Sequence, residues 1–151
     1  MPLLGDWGRI MTDLAKAQEL GSYLDGHNVL RDAAAHGVEM AQAKMGHYQP
    51  GWDPLAPATV EARVRAGYTP DDPLLRSGGL RDAIRTFGDT GTEISFGIAE
   101  GDEHFAQGMT QEHGSISGNV SPRPFIEPTA VELMPELEKS VHVAVGDLFG
   151  G

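Results

Sequence analysis

The hydrophobic pattern of this chain changes period near Ile84 and changes back before Pro128. Up to Gly46 the apolar residues recur at three- and four-residue spacing, the repeat of an amphipathic helix. Val29, Leu30, Ala33, Ala34, Val38, Ala41 and Met45 share one side, where the alanines permit close approach of another helix and Gly46 is a stop signal. Ahead of them, Asp6 is placed to cap a helix carrying Trp7, Ile10, Met11, Leu14 and Ala17 on one face, broken or bent at Gly21 and at Asp25-Gly26. After Ile84 the period falls to two. Ile94, Phe96 and Ile98 alternate with Glu93, Ser95 and Gly97, the mark of a half-buried strand. Thr86 and Phe87, a turn over Gly88–Gly91 and the stretch 92–99 therefore predict a β-hairpin. From Pro128 the helical period returns, with Val131, Met134, Leu137, Val141 and Val145 along one face and a kink or restart expected at Pro135. The predicted class is α+β: a small antiparallel β-sheet packed against a long N-terminal helical region and a C-terminal helix, with long loops.

A length of 151 residues fits a single domain. It divides into an N-terminal helical region (1–46), an extended, Pro-rich loop region (47–79), and a sheet with the C-terminal helix (80–151). In the middle region Tyr48, Trp52 and Leu55 are apolar anchors between Pro50, Pro54 and Pro57, which exclude a regular helix or central strand. Pro57–Val64 predicts a short helix with proline in its first turn. Ser77 is placed to cap the turn that carries Leu80 and Ile84. Glu103–Gln111 predicts another short helix bearing Phe105 and Met109, followed by a Gly/Ser tip at Gly114–Gly118 and an extended Val120–Ile126. The polar, Gly- and Pro-rich stretches 65–79 and 108–122 are expected to become ordered on assembly.

Several function classes are disfavoured by the residues themselves. A net charge of −11 argues against broad nucleic-acid binding, which needs clustered Lys and Arg. The absence of cysteine removes disulfides, thiolate catalysis and Cys-based zinc sites. Met1–Asp6 lacks the basic start and apolar run of a signal peptide, and no window is apolar enough to span a bilayer, so no membrane association is expected. Gly108, Gly114 and Gly118 precede no phosphate-loop Lys-Ser or Lys-Thr pair, and Ser77 lacks a nucleophile elbow. Asp102-Glu103-His104 with Glu112-His113 could supply ligands to a divalent metal, a small hydrolase being the rival this raises. The spacing matches no zinc motif, and solvated loop residues explain it better. No catalytic residue, cofactor or metal is expected.

Arg123 stands between Pro122 and Pro124 and precedes Phe125, so its backbone is stiff. Two roles are open for it: an anchor at a subunit contact, where stiffness limits the entropy lost on binding, or an internal anchor with Phe125 in the core and Arg123 paired to a carboxylate.

The order of segments then matters. Trp52 and Leu55-Ala56-Pro57-Ala58-Thr59 come first, followed by Leu75-Arg76-Ser77-Gly78-Gly79-Leu80-Arg81-Asp82-Ala83-Ile84 and a hairpin. Phe105-Ala106, Glu112-His113-Gly114, Arg123-Pro124-Phe125-Ile126 and a C-terminal helix complete it. This order resembles the phage virion morphogenesis, or tail-completion, family, which includes head–tail joining proteins of tailed phages. The family's threonine-glycine-x-leucine-arginine turn is matched at Ser77–Arg81 with serine for threonine. Phe105 stands where the family has tyrosine and His113 where it has a second aromatic, and Pro122 directly precedes Arg123. The resemblance implies Trp52, Ser77, Gly78, Leu80, Arg81, Arg123, Pro124 and Phe125 as the interface or structural motif. It also implies a ring of identical subunits, a hexamer, without enzymatic activity, at the virion neck or upper end of the tail. Its partners would be itself and neighbouring neck and tail-tube proteins, with DNA only as passing cargo, after assembly in the host cytoplasm. A head-closure ring, or the equivalent part of a phage-like particle, is the alternative within the class, and an acidic regulator of a basic partner is one outside it.

Overall fold

α2 (Val29–Lys44) is the element around which the others arrange themselves in the computed structural model, which describes residues 7–150. It packs on one side against a hairpin of β1 (Arg85–Phe87) and β2 (Ser95–Gly97), and on another against the long helix α6 (Glu127–Phe149). α1 (Trp7–Gly26) lies along α6. Short helices α3 (Pro57–Arg65), α4 (Gly79–Asp82) and α5 (Phe105–His113) fill the connections. The class is α+β, with a two-stranded antiparallel sheet in the register Arg85↔Gly97, Thr86↔Phe96 and Phe87↔Ser95.

The small residues of α2 explain its central place. Ala34, Gly37 and Ala41 are buried along one stripe, so neighbouring elements come close to its backbone. A Cβ on Gly37 would lie 3.0 Å from the ring of Phe96, which packs in its place. The core gathers Ala41 and Met45, Trp52 and Leu74 from the Pro-rich region, and Leu80, Ile84 and Phe125. It therefore draws on all three sequence regions. Gly46 ends α2 as expected, at φ 86, and its N–H donates to Pro73 O at 2.8 Å.

Several elements depart from the sequence expectation. Gly21 does not break α1, which runs on to Gly26; the turn falls at Asn28, φ 55. The expected cap Asp6 and the side chains of Trp7 and Ile10 lie outside the described residues. Met11 and Leu14, expected to face inward, are 60 % and 56 % exposed, and α1 is covered instead around Leu20, Tyr23 and Leu24. β2 is three residues long, not a strand over 92–99. Asp89, Thr90 and Glu93 close the connecting loop with their own hydrogen bonds, and Gly97 leaves extended geometry at φ 137.

α6 continues through Pro135 without a restart. The carbonyl that proline leaves without a helical partner belongs to Val131, on the solvent side, where water can satisfy it. Its buried face is rotated from the expected one: Leu137 and Val141 are half-buried, but Val131, Met134 and Val145 are exposed, and Thr129, Leu133 and Ala144 are the buried residues. Thr129 is fully covered because its hydroxyl donates to Phe125 O at 2.7 Å.

The segment 65–79 makes internal contacts of its own. Arg63, buried, donates from Nη1 to Asp72 O at 2.7 Å and Leu75 O at 3.2 Å, and Pro73 and Leu74 are buried beneath it. Within 108–122 the turn at Ser115–Val120 is closed by Ser115 N–H on Val120 O and by Ser115 Oγ, which accepts from Val120 N–H.

Candidate functional site

The eight residues singled out by motif separate into a buried group and a surface group. Trp52, Leu80 and Phe125 meet in one core cluster although they come from three distant stretches. Arg123 is buried beside them. Its Nε and Nη2 donate to Asp53 O at 3.2 and 2.8 Å, Nη2 also donates to Pro54 O at 3.1 Å, and its backbone N–H donates to Gln111 O. Of the two roles open for this residue, the contacts are those of an internal anchor, with backbone carbonyls in place of the expected carboxylate. A planar fork that can serve two adjacent carbonyls suits arginine. Pro124 is half-buried between these two anchors.

The 77–84 segment is organised by two glycines and by α2. The N-cap of α4 is Gly78, at φ 90, a conformation that glycine adopts without penalty. Ser77 is the exposed residue before it and contributes a weak bond, accepting from Gly79 N–H at 3.4 Å; the expected serine cap is thus displaced by one position. Gly79 allows a close approach, since a Cβ there would lie 2.6 Å from His104 Nε2. Arg81 pairs with Asp82 at 3.0 Å on the surface, while its carbonyl accepts from Gln42 Nε2 at 3.1 Å. Gln42 also reaches Ile84 O, so one α2 side chain satisfies two carbonyls at the end of α4.

The groups raised as metal ligands are engaged in the scaffold. Glu112 accepts three N–H donors at the start of α6: Phe125 at 2.8 Å and Ile126 at 3.0 Å on Oε2, and Glu127 at 2.8 Å on Oε1. The carboxylate caps that helix and its negative charge faces the positive end of the dipole. Asp102 accepts the His104 backbone N–H at 2.9 Å, with the His104 ring and Arg85 nearby. These contacts, the backbone bond first, hold the Asp102 carboxyl below the usual carboxylate range. His113 is exposed at the end of α5. Among the described residues, no group of three His, Asp or Glu side chains is placed to hold a metal ion.

Comparison with protein-family models, with curated proteins and with solved structures found no significant match. The functional reading therefore rests on the residues and their geometry.

Two features escaped the sequence reading. Arg63 and Glu112 act on backbone groups brought close only by folding, and no local spacing announces them. The exposure of part of the apolar face of α6 is the other. Val131, Met134, Val145 and Phe149 fall within about 60° of one another around the helix at 3.6 residues per turn, joined to the buried Thr129, Leu133 and Ala144 by the half-buried Leu137, Val141 and Leu148. Val131 is 67 % exposed, Met134 48 % and Val145 39 %. Among the described residues no helix is long and apolar enough to cross a membrane, so this surface is not part of a helical span.

Proposed function

We propose that this chain is a non-enzymatic building block of a tailed-phage particle, a ring-forming subunit at the neck or upper end of the tail that joins tail to head. The observation that carries the reading is the apolar surface of α6 that the monomer leaves open, Val131, Met134 and Val145 above all. Large apolar side chains aligned along a helix and uncovered in the monomer favour association, because burying them removes apolar surface from water. Met11 and Leu14 on the neighbouring α1 add to the uncovered apolar surface. The motif order around Ser77–Ile84 and Arg123–Ile126 supplies the phage assignment, and a hexamer is the expected ring. The net charge of −11 suits DNA as passing cargo, since negative walls repel phosphate.

Sedimentation velocity of the purified chain, with electron microscopy of the same sample, tests the reading. Closed rings of identical subunits are expected, and Val131→Asp combined with Val145→Asp should yield folded monomers with unchanged circular dichroism. A chain that stays monomeric at every concentration, and that is missing from particles purified from lysates of its source, overturns it.

A further inference from the structure

Acidic residues outnumber basic ones two to one in this chain, 22 against 11. Arg9, Arg31, Lys44, Arg81 and Arg85 each lie against a carboxylate. Arg63, Arg76 and Arg123, like Lys16, Arg65 and Lys139, do not, and the three arginines line one cavity of about 390 Å³ between α3, α5 and the 119–123 segment. No acidic side chain lines it. In so acidic a chain, that exclusion is the informative fact.

Arg63 and Arg123 are each only 7 % exposed. The carbonyl bonds described above use Nη1 of Arg63 and Nε and Nη2 of Arg123. Nε and Nη2 of Arg63 and Nη1 of Arg123 have no hydrogen-bond partner among the described residues. These spare nitrogens are not among the fully buried atoms and so remain accessible, and two guanidinium groups already fixed by carbonyl bonds offer an anion preorganised charged donors. Gln107, Gln111, Asn119 and Ser121 add uncharged polar groups to the wall. The remaining wall is apolar, formed in part by Leu55, Leu74, Leu80 and Val120.

The geometry points to a receptor for an organic carboxylate. The head group is held by the spare donors of Arg63 and Arg123. A short apolar stem lies against the leucines and Val120, and Arg76, exposed with its guanidinium 4.8 Å over the Tyr68 ring, stands at the rim. The carboxylate is either a free small molecule or an acidic side chain of a second copy. The receptor does not depend on the ring reading, and a monomeric chain would leave it standing.

Titration of the full chain with glutarate, followed by nuclear magnetic resonance, tests it. Saturable shifts are expected at the Gln111 side-chain amide and at the Nε resonances of Arg63 and Arg123. Arg76→Glu, a surface change that leaves the core intact, should weaken binding by about tenfold or more. Absence of saturation, an unchanged affinity in Arg76→Glu, or equal binding of inorganic phosphate at matched ionic strength would overturn the receptor. Sedimentation in the presence of saturating glutarate then separates the sources. A fall in oligomer size assigns the natural carboxylate to a second copy, an unchanged size assigns it to a free ligand, and both results uphold the receptor.

Discussion

Replacing Glu112 by alanine removes the group that holds the first turn of α6, and its consequence can be worked from the contacts. Three N–H groups, those of Phe125, Ile126 and Glu127, lose a charged acceptor at 2.8–3.0 Å. Phe125 is 1 % exposed, so its N–H gains little from water. One buried donor left unpaired costs about 1–3 kcal/mol. The other two reach solvent more readily and cost less, and loss of the negative charge at the helix start adds about 0.3–1 kcal/mol. The expected destabilisation is roughly 2–4 kcal/mol, a large part of the 5–15 kcal/mol typical of a whole domain. Glu112→Gln should cost about half as much, because one oxygen still accepts while the amide nitrogen opposes a remaining N–H. Urea unfolding of the three proteins at neutral pH measures both numbers. An alanine variant within about 0.5 kcal/mol of the parent would refute the argument, since surface changes without such contacts stay in that range. A glutamine variant as unstable as the alanine variant would show that the retained oxygen contributes nothing.

Other contacts make separate predictions. Arg123→Ala should destabilise the chain by about 2–4 kcal/mol in urea unfolding, with Lys restoring little, because an ammonium lacks the planar fork that spans two carbonyls. Gly79→Ala should displace the outer end of the His104 ring at a net cost of no more than about 1 kcal/mol, because that ring is partly exposed and alanine is the better helix former, and adding His104→Ala should remove the cost. Arg31 donates to Asp89 at 2.6 Å and the Gly91 N–H adds a second bond, and together they hold the Asp89 carboxyl below its usual range. A lowered folded-state value means that this contribution is complete above the unfolded value of about 3.9 and is lost as pH falls through the folded one. Asp89→Asn should therefore be less stable than the parent at neutral pH and converge with it in acid, as followed by thermal melting across pH.

Legibility followed how far apart the interacting groups lie in the chain. α2 and α3 could be read because period and proline position are local properties, and they hold in the structure. The hairpin was legible in kind but not in length, because Arg31 on α2 helps to fix the polar loop that replaces most of the second strand. Arg123 was ambiguous because its partners, the Asp53 and Pro54 carbonyls, are about 70 residues away and carry no side-chain signature. Glu112 read as a loop carboxylate because the helix start that it caps lies 13–15 residues downstream. Backbone groups are the same at every residue, so side chains that bind them leave no pattern to read.

The misread face of α6 has a different origin. The helical period was correct, but periodicity centres a face on side-chain hydrophobicity alone. The face so chosen, Val131, Met134, Leu137, Val141 and Val145, is offset from the one the monomer covers, so that Leu137 and Val141 are half-buried and the other three are exposed. The stripe that the monomer buries instead contains Thr129 and Ala144, which suit an interior only because the hydroxyl bonds Phe125 O and the small methyl permits close packing. A chain under selection only for its own folding gains nothing from placing its larger apolar residues outward, where they promote aggregation. Their alignment along one side of a 23-residue helix is accounted for if a second subunit covers them. The same substitutions therefore distinguish the two faces. Leu133→Asp should unfold the chain, whereas Val131→Asp with Val145→Asp should leave the fold intact and remove association.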